Sequence, residues 1–319
     1  MKILVNGWYA GVAANGSGQY ITHLLATLPS AAAGTGEPLD LVVLLPRPAA
    51  GGERTAEAWP GVTVRHIPLL PGPAPLAKLW WEQVTVPWQA RQMGADRIWS
   101  PYWAAPVWQP CPVVVTVHDV IGLLLPEYRG ALWQQIYTKL VSATARQAAA
   151  ILTVSHASKQ DIVAQLGVAP ERVHVVYHGP NQEGAAVPDN AVMAQVRARY
   201  GLPERYFLYL GGFDKRKNLP ALLRAYALYR QQGGDPMVQL VIAGKIPPTG
   251  GILADPRPLA AELGLASQIH CCGWVAEADK PALYAGAVAF VFPSLYEGFG
   301  MMITEAQQAG TAVVTSAEK

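Results

Sequence analysis

Apolar runs and helically spaced apolar stripes alternate along almost the whole chain. Lys2 to Asn6 predicts a first strand, and Gly11 to Gly18 a small-residue loop after it. Tyr20, Ile21, Leu24, Leu25 and Leu28 then recur at helical spacing across Gln19 to Leu28. Leu39 to Leu45 is continuously apolar with β-branched members, the pattern of a strand buried on both faces. Val62 to Ile67 reads as another strand, and Pro68 to Pro75 as a proline-rich connection. The helical pattern from Leu76 to Met93 carries Trp80, Trp81 and Trp88, with a kink or break predicted at Pro87. Strands follow at Asp96 to Ser100 and Val113 to Val117, then a long helix at Leu132 to Ala149 and a strand at Ile151 to Val154. Ser155 is placed to cap the next helix and Gly167 to end it, before a strand at Val173 to Tyr177.

The polar, proline- and glycine-bearing stretch from Gly179 to Asn190 reads as a linker. It divides the chain into residues 1–183 and 184–319. After a short helix (Ala191 to Tyr200), the alternation begins again: strands at Tyr206 to Leu210, Val238 to Ala243, Ile269 to Cys271 and Val288 to Phe292, and a last one at Ala312 to Thr315. Helices are expected at Asn218 to Gln232, near Leu259 to Leu263, and at Lys280 to Ala285. The pattern implies α/β architecture, with two Rossmann-like doubly wound domains on parallel sheets. Such a pair is expected to face one another across a cleft and to take its ligand there, at the carboxyl ends of the strands.

Composition narrows the classes. Only 14% of the 319 residues are charged and 51% are hydrophobic, against ~25% charged in an average soluble protein. Large cores, or a surface that meets an apolar partner, fit these values. A net charge of +2 gives no basis for nucleic-acid binding. The longest apolar stretch, Val113 to Leu125, is interrupted by His118 and Asp119 and falls short of the ~20 residues a spanning helix needs. The N-terminus turns too soon for a signal peptide. Cys111, Cys271 and Cys272 form neither a disulfide framework nor a metal-ligand pattern, which suits a reducing cytoplasm.

Four strand ends carry chemistry. Gly16-Ser17-Gly18, then Gln19-Tyr20, is either a plain glycine turn or a loop that lets backbone amides approach a ligand. It lacks the glycine spacing of a nicotinamide dinucleotide site. His118-Asp119 follows a strand; the histidine can bond a ligand with Asp119 orienting its ring, or be purely structural. Gly211-Gly212-Phe213-Asp214-Lys215-Arg216-Lys217-Asn218 places three cations on a turn before a helix, suited to a diphosphate. Phe290-Val291-Phe292-Pro293-Ser294-Leu295-Tyr296-Glu297-Gly298-Phe299-Gly300 ends a strand in a glycine-rich turn and opens a helix bearing Glu305. A helix N-terminus reached this way offers amides to an anion, with two acids beside it for hydroxyl groups.

These stretches, with Leu-Thr-Val-Ser-His-Ala-Ser-Lys, Val-Ile-Ala-Gly-Lys and Gly273-Trp274-Val275, resemble the retaining glycosyltransferases of family 4, of GT-B fold (the group 1 glycosyl transferases), many of them bacterial mannosyl- and glucosyltransferases. The resemblance implies that Arg216 and Lys217 hold a donor diphosphate and that Glu297 lies near the donor sugar. It implies that Gly298, Phe299 and Gly300 contact sugar and phosphate oxygens through their backbone, and that Glu305 bonds the ribose. Val275 falls where the base packs, His118 where a histidine approaches the transferred sugar, and Gly16, Ser17 and Gly18 where a loop faces donor phosphates and acceptor. Gly212 stands where many members carry arginine, so its charge falls on Lys215, Arg216 and Lys217. The family continues well past the position of Lys319, so a C-terminally truncated chain is expected.

The expected reaction transfers a hexose, mannose favoured, from a nucleoside diphosphate sugar to an acceptor hydroxyl with retained configuration. No Asp-x-Asp motif accompanies the site, so neither a metal nor another cofactor is expected. The resemblance leans towards GDP-mannose as donor and a glycan or lipid-linked acceptor, in polysaccharide or glycolipid synthesis. The segment Trp80 to Trp108 suits either a buried core or peripheral docking on the inner membrane face. A sugar-nucleotide epimerase, a phosphorylase and a non-catalytic sugar-nucleotide binder are the rival readings.

Overall fold

A computed structural model describes residues 1–12, 16–34, 36, 38–47, 59–179, 188–246, 253 and 255–317. It separates into two compact units, Met1–Tyr177 and His178–Lys319. The boundary expected at 183/184 and most of the expected linker lie outside the described residues.

The first unit has strands β1 (Lys2–Asn6), β2 (Asp40–Arg47), β3 (Val62–Pro68), β4 (Arg97–Ser100), β5 (Val113–Thr116), β6 (Ala150–Thr153) and β7 (Val173–Val175). Its helices are α1 (Gly16–Ala33), α2 (Ala74–Trp80), α3 (Val86–Gln92), α4 (Ile121–Leu124), α5 (Leu132–Ala145) and α6 (His156–Leu166). The sheet runs β3-β2-β1-β4-β5-β6-β7, every pair parallel. Strand residues alternate between faces, and β2 shows the consequence. Leu41, Val43 and Leu45 pack with Ile21 and Leu25 of α1, whereas Val42 and Leu44 pack with Trp81, Val86 and Ala90 on the other side. Burial on both faces is why this strand reads as an unbroken apolar run.

The second unit has strands β8 (Arg205–Leu210), β9 (Val238–Ala243), β10 (Ile269–Gly273), β11 (Ala289–Phe292) and β12 (Val313–Thr315). Its helices are α7 (Asn190–Tyr200), α8 (Leu219–Gln231), α9 (Arg257–Glu262), α10 (Lys280–Ala285) and α11 (Met301–Gln308). The parallel sheet runs β10-β9-β8-β11-β12. In each unit the strand order reverses beside its first strand, between β1 and β4 and between β8 and β11. Ligands of open α/β sheets bind at such switch points, outside the carboxyl ends of the strands.

Local signals account for most ends. Ser155 Oγ accepts the Ser158 N–H at 3.0 Å, and Gly167 closes α6 in the left-handed region at φ 63°. Two expectations need correcting. The interruption expected at Pro87 falls before it: a π-turn, Trp81–Thr85, joins α2 to α3, and Pro87 sits in the first turn of α3, where a missing N–H costs least. Gly16, Ser17 and Gly18 are not loop residues but the first turn of α1. A Cβ on Gly18 would come within 1.9 Å of the Val12 carbonyl oxygen, so close backbone packing accounts for this glycine.

Candidate functional site

The second unit's switch point gathers both of its sequence-predicted stretches. From the end of β8 the chain passes Gly211 and Gly212 into a tight turn, Lys215–Lys217, and then α8. Asn218 begins α8 through its left-handed backbone (φ 56°), not through a side-chain bond as a conventional cap would. From β11 the chain passes Pro293 to Gly300, and α11 opens behind Gly300, itself left-handed at φ 89°. No side chain caps α11, and the first-turn N–H groups of any helix lack acceptors within it.

Glu297 ties the two stretches together. Its Oε1 accepts from Lys217 Nζ at 2.6 Å, and its Oε2 from Arg216 Nη1 at 2.7 Å. Arg216 Nη1 also donates to the Tyr296 carbonyl at 3.0 Å, and its Nε meets Asp214 Oδ1 at 3.0 Å. Leu295 N–H donates to the Arg216 carbonyl at 2.7 Å, and Ser294 Oγ lies 2.6 Å from Glu297 Oε1. Lys217 is only 6% exposed, with its ammonium 4.7 Å from the centre of the Phe292 ring. Burial pulls the ammonium below its ordinary pKa, against the opposing charge of Glu297. Burial alone would raise the Glu297 carboxyl, but the Lys217 and Arg216 charges outweigh it and hold the group below the usual carboxylate range. Arg216 and Lys217 are matched by Asp214 and Glu297, and the exposed Lys215 on the same turn adds one further positive charge.

The remaining predicted residues of this unit fall nearby in the chain but not all alike. Glu305, on α11, accepts from Tyr284 Oη at 3.0 Å. Burial, then the Glu305 charge, pushes the Tyr284 phenol well up, so Tyr284 is a neutral donor. Gly212 gives its carbonyl to Tyr209 Oη at 2.5 Å and is otherwise exposed. Gly298 and Phe299 are half-buried, the Phe299 ring meeting His178 edge-on at 5.3 Å. Val275 is buried in the core at 5% exposure, beside the exposed Trp274. Ser294 and Tyr284, which seat the two acids, carry no motif signal of their own.

The first unit has a pocket of about 430 Å³ at its own switch point. Tyr9 follows β1, Tyr102 and Trp103 follow β4, and His118 and Asp119 follow β5; Ser17, Lys78, Tyr137, Thr138 and Val141 complete the walls. The His118 ring sits edge-on to Tyr20 at 4.8 Å. Asp119, expected to orient His118, accepts the Ile121 N–H at 3.1 Å and so fastens the start of α4. Gly16 is exposed with open space around it.

Behind this pocket lies a network that motif reading missed. Glu82, fully buried, accepts from Tyr137 Oη at 2.8 Å and lies 2.6 Å from Lys78 Nζ. That approach is an ion pair by distance, outside hydrogen-bond angles. Lys78 Nζ also donates to Tyr137 Oη at 2.5 Å and lies 4.4 Å from the centre of its ring. Asn6 joins in, donating to Tyr102 Oη at 2.9 Å and accepting from Trp81 Nε1 at 2.8 Å. Removing a buried partner strands the other charge. Glu82→Ala is therefore expected to cost about 3 kcal/mol, checked as a lower urea midpoint.

Two parallel doubly wound units, the second with a basic turn, an acid and a helix N-terminus at its switch point, define a GT-B protein. A family model described as glycosyltransferase family 4 matches residues 14–183, and one described as glycosyl transferases group 1 matches residues 194–319. The chain belongs to glycosyltransferase family 4. It is 33% identical over 213 residues to the serotype-specific mannosyltransferase WbdA of Escherichia coli, covering 65% of this chain and 25% of WbdA. To the O-antigen chain mannosyltransferase B of Escherichia coli it is 31% identical over 205 residues, 64% of this chain and 52% of that protein. It thus spans between a quarter and about half of the length of these relatives. Sucrose-phosphate synthase from Thermosynechococcus elongatus superposes with TM-score 0.67 at 22% identity, covering 100% of this chain and 82% of that one. Anabaena HepE in complex with UDP and glucose does so with TM-score 0.65 at 18% identity, over 100% and 81%. At such identities these two speak for the fold alone.

Proposed function

We propose that the protein is a retaining glycosyltransferase that moves a hexose, mannose favoured, from a nucleoside diphosphate sugar to an acceptor hydroxyl in polysaccharide or glycolipid synthesis. The observation that carries this reading is the cluster of Lys215, Arg216, Lys217 and Glu297 before the N-terminus of α11. Glu297 holds two cations rigidly while the cluster keeps one surplus positive charge, a preorganised counter-charge for a departing diphosphate. As the glycosidic C–O bond to phosphate breaks, negative charge grows on the diphosphate, which Arg216, Lys217 and the helix N-terminus stabilise. The acceptor oxygen then bonds the same face of the sugar, and the departing phosphate oxygen takes its proton. Gly298, Phe299 and Gly300 offer backbone to the sugar and phosphate, Glu305 bonds the ribose, and the base lies by Val275. Counter-charge from side chains leaves no step that needs a metal. In the first unit, His118 and Ser17 line the pocket proposed to take the acceptor. The match to mannosyltransferases supports mannose. A thermal-shift panel of nucleotide sugars, followed by proton NMR of the product, tests donor and configuration. Donor turnover without an acceptor product would favour the epimerase reading.

The acceptor side is proposed to dock on the cytoplasmic face of a membrane. Among the described residues no helix is long and apolar enough to cross one. Yet Leu76, Trp80, Val84 and Trp88 recur every four residues through α2, the π-turn and α3, each 40–54% exposed. The exposed Val107-Trp108 turn is fastened to the same helix, Val107 N–H donating to Gln83 Oε1 at 2.9 Å. Tryptophan favours the bilayer–water interface. Trp80→Ser with Trp88→Ser is expected to lower recovery with floated phosphatidylglycerol vesicles about tenfold or more, at ~0.025 kcal/mol per Å² of lost apolar contact. Equal flotation would remove the docking proposal.

A further inference from the structure

Beside the aromatic pocket of the first unit lies a second concavity, of about 470 Å³, with a different charge. Arg129 lines it ahead of α5, Lys139 lines it from the helix, and Arg146 lines it just past the helix end. Gln135, Lys139, Ser142 and Arg146 follow each other at steps of four, three and four, so they form one stripe along that face. All three cations are exposed, and no carboxylate is among the lining residues. Among the described residues none of the three is in an ion pair, whereas Lys78 and Lys217 hold one each and Arg216 holds two. The Arg146 guanidinium is anchored through Nε to the Leu166 carbonyl at 2.6 Å. Three unneutralised cations around one hollow repel each other and attract an anion rich in acceptor oxygens.

Thr138 lines both this concavity and the aromatic pocket, so the two adjoin. The aromatic pocket has no positive charge to spare, because Lys78 is matched by Glu82 and Asp119 adds a carboxylate. Its phenols stay neutral: burial, then the Glu82 charge, raises Tyr9, Tyr102 and Tyr137. Ring faces and hydroxyl groups of this kind suit a neutral polyhydroxylated ring, while the basic concavity suits what such a pocket would reject. We propose that the basic concavity binds a phosphate group of the acceptor and the aromatic pocket its sugar ring, so that the acceptor is a phosphate ester of a sugar. This rests on the transferase reading, in which the first unit receives the acceptor. The same chemistry arises in a soluble sugar phosphate or in a lipid-linked one, and Leu132, Trp133 and Ile136 stand exposed at the start of α5 for the latter.

The test uses the full chain with GDP present to fill the donor site. Failure of GDP, UDP and ADP alike to bind would count against the transferase reading, whereas the comparison of ester and glycoside below reads this proposal separately. Mannose 1-phosphate and methyl mannoside are titrated into the wild type and into Arg129→Gln with Lys139→Gln, whose side chains make no hydrogen bond or ion pair among the described residues. The phosphate ester is expected to bind at least tenfold more tightly than the glycoside, and the variant to lose that difference while binding the glycoside unchanged. A parallel arm compares cosedimentation with phosphatidylcholine vesicles that carry or lack a polyprenyl mannosyl phosphate. A tenfold loss confined to the vesicles carrying that lipid would assign the phosphate to a lipid-linked sugar and equally support the site. Unchanged binding of both the soluble ester and the lipid-linked one in the variant would overturn it.

Discussion

Lys217→Ala is expected to reduce turnover at least about a hundredfold, the scale of losing one preorganised group that stabilises developing charge. The loss should fall on kcat and on kcat/KM together, because the ammonium meets its full counter-charge only as the bond to phosphate breaks. Glu297 keeps its bond from Arg216 Nη1 at 2.7 Å, so the acid is not stranded and the fold should survive. Single-turnover kinetics on purified variant with an unchanged circular dichroism spectrum would check this. Wild-type turnover would remove Lys217 from the phosphate site.

Glu297→Gln should act more on stability. It removes the charge facing a lysine that is 6% exposed, and Arg216 sits next to that lysine. A cost of about 3 kcal/mol follows from leaving a buried charge uncompensated. The pH dependence has a definite sign. The folded carboxyl lies below its ordinary value of 4.5, so the unfolded chain binds the proton more readily. Its stabilisation is then fully present above pH 4.5 and fades as the pH falls through the lower folded value. The difference in thermal midpoint between wild type and Glu297→Gln should therefore shrink on acidification below that point. A constant difference down to pH 2 would contradict the ion-pair account.

The elements most legible in the sequence were those whose signals are local. Lys2–Asn6 and Lys280–Ala285 fall where the apolar pattern puts them, and Ser155 and Gly167 bound α6 as their chemistry dictates. The stretch from Phe290 to Gly300 was legible because a strand, a proline and glycines occur in immediate succession. What escaped depends on register and distance. Glu82 and Tyr137 are 55 positions apart, and only the packing of α5 beside the π-turn brings them together. The Trp80–Trp81 pair shows the same limit: one is 48% exposed and its neighbour 1%, a division set by which way the helix faces the sheet. The start of α1 at Gly16 was hidden because glycines argue against a helix until the Val12 carbonyl is seen to need the space. Likewise, the pairing of Glu297 with the basic turn joins residues 80 and 81 positions apart, which only the adjacency of β8 and β11 explains.

The proposed reaction depends on the β8–β11 switch point holding a nucleoside diphosphate sugar through its diphosphate. Calorimetric titration of the full chain with GDP-mannose, UDP-glucose, guanosine and mannose tests it most directly. One nucleotide sugar is expected to bind at least a hundredfold more tightly than nucleoside or free sugar, with affinity falling as salt rises. Equal affinity for guanosine and GDP-mannose, or binding indifferent to salt, would contradict it.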